Sequence, residues 1–256
     1  MVVLAPINLL LRKRPEDMGL RPDGDLAPHP SAPPPPSNIV DAAWAATDWT
    51  LPRAVRTARF WWLALGYFCA LYVWYAVQVH QTKYLTEIGV SPTVAAWALG
   101  FVSLAGIPGG IVLGHLSDRI GREWVWAIAN LGFAFCFLAL LALGLYPSVA
   151  LVYAMVIVQG VLGYGLTSVM GAIVAEIFQG AHFGTIFGSV MVSALAGGAA
   201  GPWFTGVLHD LTGDYVLAFW LGVAVSGVSA LAVWRAAPRK VRAVAGRIRD
   251  PFKGAA

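Results

Sequence analysis

Six long apolar stretches, separated by short polar segments, make up most of the chain between residues 60 and 234. Each has about the twenty residues that an α-helix needs to cross the hydrocarbon core of a bilayer. We predict spans at 60–82, 94–116, 124–146, 149–172, 185–208 and 215–234. The predicted fold is therefore all-α: a polytopic membrane protein with a six-transmembrane-helix bundle over residues 59–235.

Composition supports a location in the membrane. Hydrophobic residues make up 58% of the chain and charged residues only 12%, whereas a soluble domain carries about a quarter of charged residues. Cys69 and Cys136 both fall inside predicted spans, without a C-x-x-C pair or a His/Cys cluster. We therefore predict no disulfide framework, no metal site and no cofactor.

The distribution of Lys and Arg predicts the topology. Sixteen of the 17 basic residues lie on the side of the N-terminal segment, and only Lys83 lies on the other. Because cytoplasmic segments carry the excess of Lys and Arg, both termini are predicted to be cytoplasmic in the cell (inner or plasma) membrane. No basic patch interleaved with aromatic residues indicates nucleic-acid binding.

Three segments flank the predicted bundle. Residues 1–11 are apolar but too short to span, and we interpret them as the end of a truncated preceding helix. Residues 12–58 are polar and proline-rich, which predicts a cytoplasmic central linker. Residues 236–256 form a basic cytoplasmic tail, which either stops transfer or binds anionic lipid.

A short amphipathic helix is predicted near the end of the linker. Thr50 is a candidate N-cap, Pro52 suits a first helical turn, and Arg53, Arg56 and Arg59 recur every third residue on one face. The arginines would lie against lipid headgroups or form an ordinary solvated face.

The most informative polar segment is GHLSDRIGR, residues 114–122, which joins the second and third predicted spans as a short, water-exposed turn. Gly114 permits close helix packing, and Gly121 permits a turn. Asp118 can face a helix N-terminus, while Arg119 and Arg122 hold the cytoplasmic side. An ordinary basic inside loop is the alternative interpretation.

This pattern resembles the cytoplasmic loop signature of Major Facilitator Superfamily transporters, although Glu123 stands where the family usually has a basic residue. Further segments resemble the monocarboxylate and oxalate/formate groups of that family: RKRPEDMGLRPDG (12–24), AEIFQGAHFGTIFG (175–188) and GPWFTGVLHDLTGDYVLAF (201–219). The resemblance implies the second half of a twelve-helix transporter, with a substrate cavity against a missing N-terminal six-helix half.

Polar side chains inside spans are costly unless they have partners or line a cavity. Two such stripes recur at helical spacing, one on the first span and one on the fourth. The candidates for a substrate cavity are Tyr67, Trp74, Gln78, Gln81, Gln159, Tyr164 and Thr167. Interhelical hydrogen bonds that only hold the bundle are the alternative.

Small residues four positions apart predict close helix packing on the second and fifth spans. These candidates are Gly106 and Gly110, followed by Gly197 and Gly201. Within the spans no Lys, Arg, Asp or Glu lies at depth, so a bound anion would take its counter-charge from Lys83, from His80, from helix N-termini or from the missing half.

The leading hypothesis is the C-terminal half of a secondary transporter that moves a small organic solute, with a carboxylate among the candidates, by alternating access. The partners are then the small-molecule substrate, the lipid bilayer and the missing half. A six-helix protein that works as a homodimer with a second copy, or as a non-transporting partner subunit, is the alternative. We do not predict a membrane enzyme, because the sequence has no Gly-x-Ser-x-Gly or His-Glu-x-x-His motif.

Overall fold

The computed structural model of the protein describes residues 38–247. The predicted helix end at 1–11, most of the linker and the end of the tail therefore lie outside the described residues. The helices are α1 (Ala42–Ala45), α2 (Leu51–Ala54), α3 (Ala58–Glu87), α4 (Pro92–Ile120), α5 (Arg122–Leu145), α6 (Val149–Val158), α7 (Gly165–Ile177), α8 (Phe183–Thr212) and α9 (Val216–Ala236).

Within this described part, six helical segments are long and apolar enough to cross a membrane: α3, α4, α5, α6 with α7, α8, and α9. The prediction of an all-α, six-span bundle is confirmed. Most helices are longer than the predicted spans because polar residues extend them beyond the apolar core. Helix α3 has 30 residues, for example, and begins after Thr57, whose side chain accepts a hydrogen bond from the Phe60 N–H.

The fourth span is not one uniform α-helix. Residues Gln159–Gly163 form a π-helical turn between α6 and α7. Gly160 lies so close to α4 that an added Cβ would come within 2.6 Å of the Val102 carbonyl oxygen and the Ala105 Cβ. Single π turns of this kind are frequent at functional sites. Here the turn sets the positions of Gln159 and Tyr164 halfway along the span.

Helix α3 packs closely against α8 through two of the predicted glycines. A Cβ on Gly197 would overlap the carbonyl oxygen of Phe68, and a Cβ on Gly201 would overlap that of Tyr72. Only a residue without a side chain lets the two backbones approach this closely. These two glycines therefore fix the spacing between the first and fifth spans.

The glycines predicted on the second span have different surroundings. A Cβ on Gly106 would lie 2.6 Å from the ring of Tyr164, so this glycine makes room for an aromatic side chain. Gly110 instead receives a hydrogen bond of 2.8 Å at its carbonyl from the Ser168 hydroxyl. Both contacts join α4 to the middle of the fourth span.

Helices α4 and α8 are the least buried spans, with 28% and 22% of their apolar windows buried against 39% to 61% for the other four. Their exposed faces carry large apolar side chains, among them Trp97, Ile107, Ile111, Val192, Leu195 and Trp203. These faces are therefore free to contact lipid or a second bundle.

The described residues after α9, 237–247, are folded against the bundle. Two short 3₁₀ turns, Pro238–Lys240 and Ala245–Arg247, follow the last span. The Val40 N–H donates to the Val241 carbonyl over 2.9 Å, and the Ala243 N–H donates to the Asn38 carbonyl over 2.8 Å. The described part of the predicted basic tail is thus held against the end of the linker.

The predicted amphipathic helix is reduced to a single turn. Helix α2 begins after Thr50, as predicted, but the Thr50 side chain makes no capping hydrogen bond. Arg59 belongs to α3, and its guanidinium lies 4.2 Å from the centre of the Trp44 ring. The three arginines therefore do not share one helix, because the chain leaves helical geometry between Ala54 and Ala58.

Candidate functional site

The turn between the second and third spans is tighter than the sequence predicts. Helix α4 continues to Ile120 and α5 begins at Arg122, so Gly121 alone separates them. Its φ of +112° and ψ of 149° lie in a region that side chains rarely adopt. Most of the segment 114–122 is therefore the last two turns of α4, and Gly121 makes the turn as predicted.

Arg122 joins three helix ends on the predicted cytoplasmic side. Its Nη2 lies 2.5 Å from Asp118 Oδ1, and its Nε donates to Glu176 Oε1 at the end of α7 over 2.9 Å. Another guanidinium N–H donates to the Ser117 hydroxyl. The side chains of Arg122 and Glu176 are only 17% and 15% exposed, so this pair is shielded from solvent on both sides.

Asp118 is half-exposed, and its partner in the described chain is Arg122, the first residue of α5. The predicted contact of Asp118 with another helix N-terminus stays a prediction. The sequence reasoning missed Glu176 as the partner of Arg122. Its only signal was its place in the AEIF segment that resembles the family, because pairing over 54 residues leaves no local pattern.

Glu123, the departure from the family signature, has a partner from the segment after α9. Its carboxylate is almost fully buried, and Oε1 lies 3.7 Å from Arg239 Nη1. Arg239 also lies 4.3 Å above the ring of Trp234 and donates to the Trp234 carbonyl over 3.3 Å. Glu123 therefore neutralises Arg239, which follows the last span and lies close to the Gly121 turn.

Four of the seven predicted cavity residues share one pocket in the middle of the bundle. Trp74 Nε1 donates to Gln78 Oε1 over 2.9 Å, and the Trp74 ring lies 5.0 Å from that of Tyr164. Gln159 completes the group, and its Oε1 is buried without a hydrogen-bond partner among residues 38–247. These side chains, with Val102 and Phe133, pack around a small cavity of about 10 Å³.

The other three predicted cavity residues lie outside that pocket. Tyr67 is fully buried, stacks on Trp126 at 4.7 Å and donates to the Met170 carbonyl over 2.5 Å. For Tyr67, then, the structure shows the alternative role of an interhelical hydrogen bond. Gln81 is fully buried, with neither amide atom hydrogen-bonded in the described chain. Thr167 is exposed and donates to the Tyr164 carbonyl of its own helix over 2.8 Å.

A polar cluster at the predicted outer end was missed by the sequence reasoning. His80, named from the sequence only as a possible source of counter-charge, lies 3.0 Å from the Pro202 carbonyl through Nε2 and 3.2 Å from the Tyr215 hydroxyl through Nδ1. Because a carbonyl only accepts, Nε2 carries the hydrogen. Burial raises the pKa of Tyr215, against the opposing charge of Lys83, so the hydroxyl stays protonated and can donate to Nδ1.

The same cluster engages the one basic residue predicted outside. Lys83 Nζ lies 3.6 Å from Glu87 Oε1, and His209 Nε2 lies 3.9 Å from Glu87 Oε2. These contacts join the ends of α3 and α8 beside the loop that leads into α9. Lys83 and His80, the two side chains named as sources of counter-charge, are therefore both already held by protein groups.

Six apolar helices, with a polar pocket at mid-depth and charged groups confined to the ends, characterise a multi-pass membrane protein. The sequence profile of the Major Facilitator Superfamily matches residues 9–254. The chain belongs to this superfamily, as the loop signature predicts.

Two curated relatives carry transporter names. A triacylglyceride transporter of Mycobacteroides abscessus is 25% identical over 172 residues, which cover 64% of this chain and 32% of the relative. Monocarboxylate transporter 13 of Rattus norvegicus is 25% identical over 144 residues, which cover 55% of this chain and 33% of the relative. The chain thus matches about a third of each relative's length. Family and relatives point to a transporter rather than an enzyme.

Proposed function

We propose that the chain is the C-terminal six-helix half of a secondary active transporter that moves a small organic solute by alternating access. The observation that carries the proposal is the pocket of Trp74, Gln78, Gln159 and Tyr164. Transporters of this architecture bind substrate near the midplane, at the interface between two repeats. Two aromatic rings and two amides are suited to hold an organic molecule there.

The size of the pocket supports the view that this chain forms one wall of a larger site. Its cavity volume is about 10 Å³, room for roughly one water molecule, whereas typical ligand sites enclose roughly 300–1,000 Å³. Helices α4 and α8 have the least buried faces. An N-terminal six-helix half that packed against these two helices would enlarge the pocket into a central cavity.

A carboxylate is our proposed substrate class. The name of one relative, monocarboxylate transporter 13, supports it. The described pocket residues carry no charge, and Lys83 already has Glu87 as its partner, so the counter-charge comes from helix N-termini or from the other half. We place the Arg122 turn and both termini in the cytoplasm, because all but one of the basic residues lie on that side.

The alternative is that a second copy of the chain, rather than an N-terminal half, covers α4 and α8, or that the chain is a non-transporting partner subunit. The exposed faces suit either partner equally. Molecular mass and uptake separate these possibilities.

The test compares two reconstituted samples: the complete native gene product, sized by immunoblot, and this 27.2 kDa chain alone. Our proposal predicts a native product near twice this mass that takes up radiolabelled monocarboxylates into proteoliposomes. It predicts background uptake for the chain alone. Uptake by the chain alone, with crosslinking to a dimer, would establish the second-copy alternative and overturn the proposal.

A further inference from the structure

A cavity lies beneath the Gly121 turn, where the segment after α9 folds back against the bundle. Its volume is about 310 Å³. Glu123 and Glu176 line it from the bundle, and four basic side chains line it from the C-terminal segment: Arg239, Lys240, Arg242 and Arg247. The proposed transport cycle uses none of these four cations.

The ion pairs around this cavity leave an excess of positive charge. Glu176 is paired with Arg122 at 2.9 Å, and Glu123 is paired with Arg239 at 3.7 Å. Arg122 is shared with Asp118, so three carboxylates face five cations around the cavity, and the excess is two positive charges. Among residues 38–247, Lys240, Arg242 and Arg247 have no acidic partner within ion-pair distance.

Arg242, which lines the cavity, has a hydrogen-bond donor without an acceptor. Its Nη1 donates to Asn38 Oδ1 over 3.3 Å, but its Nε is buried without an acceptor in the described chain. A buried N–H without an acceptor is costly, and more so on a charged group. An anionic oxygen in the cavity would satisfy it. Arginine and lysine are the side chains that proteins use to bind phosphate.

The backbone holds these cations in place. On one side, the Val40 N–H donates to the Val241 carbonyl and the Ala243 N–H donates to the Asn38 carbonyl. These hydrogen bonds fix the segment after α9 against the end of the linker. Gly246 fixes it on the other, since a Cβ there would lie 2.7 Å from Arg119 Cα. A site built on an ordered segment spends less conformational entropy on binding than one built on a loose basic tail.

The depth of the cavity indicates the source of the anion. Trp124, which follows Glu123 in the sequence, meets Trp234 edge to face at 4.9 Å and is exposed. The Arg239 guanidinium lies 4.3 Å from the centre of the Trp234 ring. Tryptophans at span ends lie at the level of lipid headgroups. We propose that this cavity binds the phosphate of an anionic lipid headgroup, with Arg242, Lys240 and Arg247 as the cationic donors.

The test is native mass spectrometry of the purified chain in mild detergent, titrated with phosphatidylglycerol, with phosphatidylcholine and with inorganic phosphate. We expect phosphatidylglycerol to bind at least about tenfold more tightly than phosphatidylcholine, since each basic residue near the surface favours anionic lipid. The double variant Lys240→Gln/Arg247→Gln should lose most of this preference. Both side chains are exposed and unpaired in the described chain, so folding should be unaffected.

The matched control is Arg53→Gln/Arg56→Gln, which removes two exposed cations from the same predicted side but outside the cavity. It should keep the preference within about twofold, and Arg242→Gln should reduce it as the first double variant does. Equal binding of the two lipids, or equal losses in the cavity and control variants, would overturn the proposal. If millimolar inorganic phosphate displaces phosphatidylglycerol, the cavity binds free phosphate and not a lipid headgroup, and the proposal is overturned.

Discussion

Arg122 Nε donates to Glu176 Oε1 over 2.9 Å, and this pair joins the start of the third span to the end of the fourth. Both side chains are mostly buried, and Asp118 extends the pair towards solvent. The contact links the Gly121 turn to the fourth span, which carries Gln159 and Tyr164. The proposed substrate pocket and the turn are therefore connected through one continuous helical span.

Replacing Glu176 with Gln should destabilise the bundle by about 2 kcal/mol, because it leaves a mostly buried guanidinium with one carboxylate instead of two. The measurement is thermal unfolding in detergent. The control is Glu87→Gln, which removes the contacts of Glu87 with the exposed Lys83 and with His209 and should cost much less stability. If the two variants lose the same stability, the Arg122 pair has no special structural role.

Replacing Asp118 with Asn in the complete protein should impair transport and leave membrane insertion intact. The reason is that Asp118 balances Arg122 at the turn and is half-exposed, so it is available to a second bundle. Initial uptake rates at equal protein in the membrane provide the measurement. Asp210→Asn, at the exposed outer end of α8, is the control. A normal rate for Asp118→Asn would refute the role.

Replacing Gly201 with Ala should cost about 1–3 kcal/mol, because the new methyl group overlaps the Tyr72 carbonyl and forces α3 and α8 apart. Gly188→Ala on the same helix meets no atom within 4 Å. It should be neutral or stabilise the helix by up to about 1 kcal/mol. Thermal unfolding of both variants is the measurement. A Gly201→Ala protein as stable as the unsubstituted one would contradict the close packing of α3 against α8.

Replacing His80 with Phe should destabilise the protein by about 1–2 kcal/mol, because the buried hydrogen bonds to Pro202 and Tyr215 are lost while ring volume is kept. His115→Phe is the matched control, since His115 is exposed on α4. Thermal unfolding is again the measurement. Comparable stabilities for the two variants would show that the contacts of His80 with Pro202 and Tyr215 do not stabilise the protein.

The sequence predicted those features that depend on local patterns. Hydropathy located six spans because a helix in lipid must be apolar along its whole length. Gly121 was predicted as the turn residue because few other residues adopt a positive φ. The loop signature identified the superfamily, which the profile match over residues 9–254 confirms.

The sequence did not predict the features that depend on distant contacts. Tyr67 appeared to belong to a cavity stripe, but its hydroxyl bonds a carbonyl 103 residues away. Helical spacing shows which side chains share a face, whereas it does not show which neighbour covers that face. The π turn at Gln159–Gly163 is hidden for a similar reason, since its glycines look like ordinary packing residues.

The most direct test of the central claim is substrate uptake by the complete protein with Gln159→Ala. Gln159 Oε1 has no partner in the described chain, so its loss breaks no hydrogen bond at that atom within the protein and removes one to a bound solute. Our account predicts at least a tenfold rise in KM, or about 1.4 kcal/mol, while the exposed control Gln179→Ala transports normally. An unchanged KM for Gln159→Ala would contradict the assignment of this pocket as a wall of the substrate site.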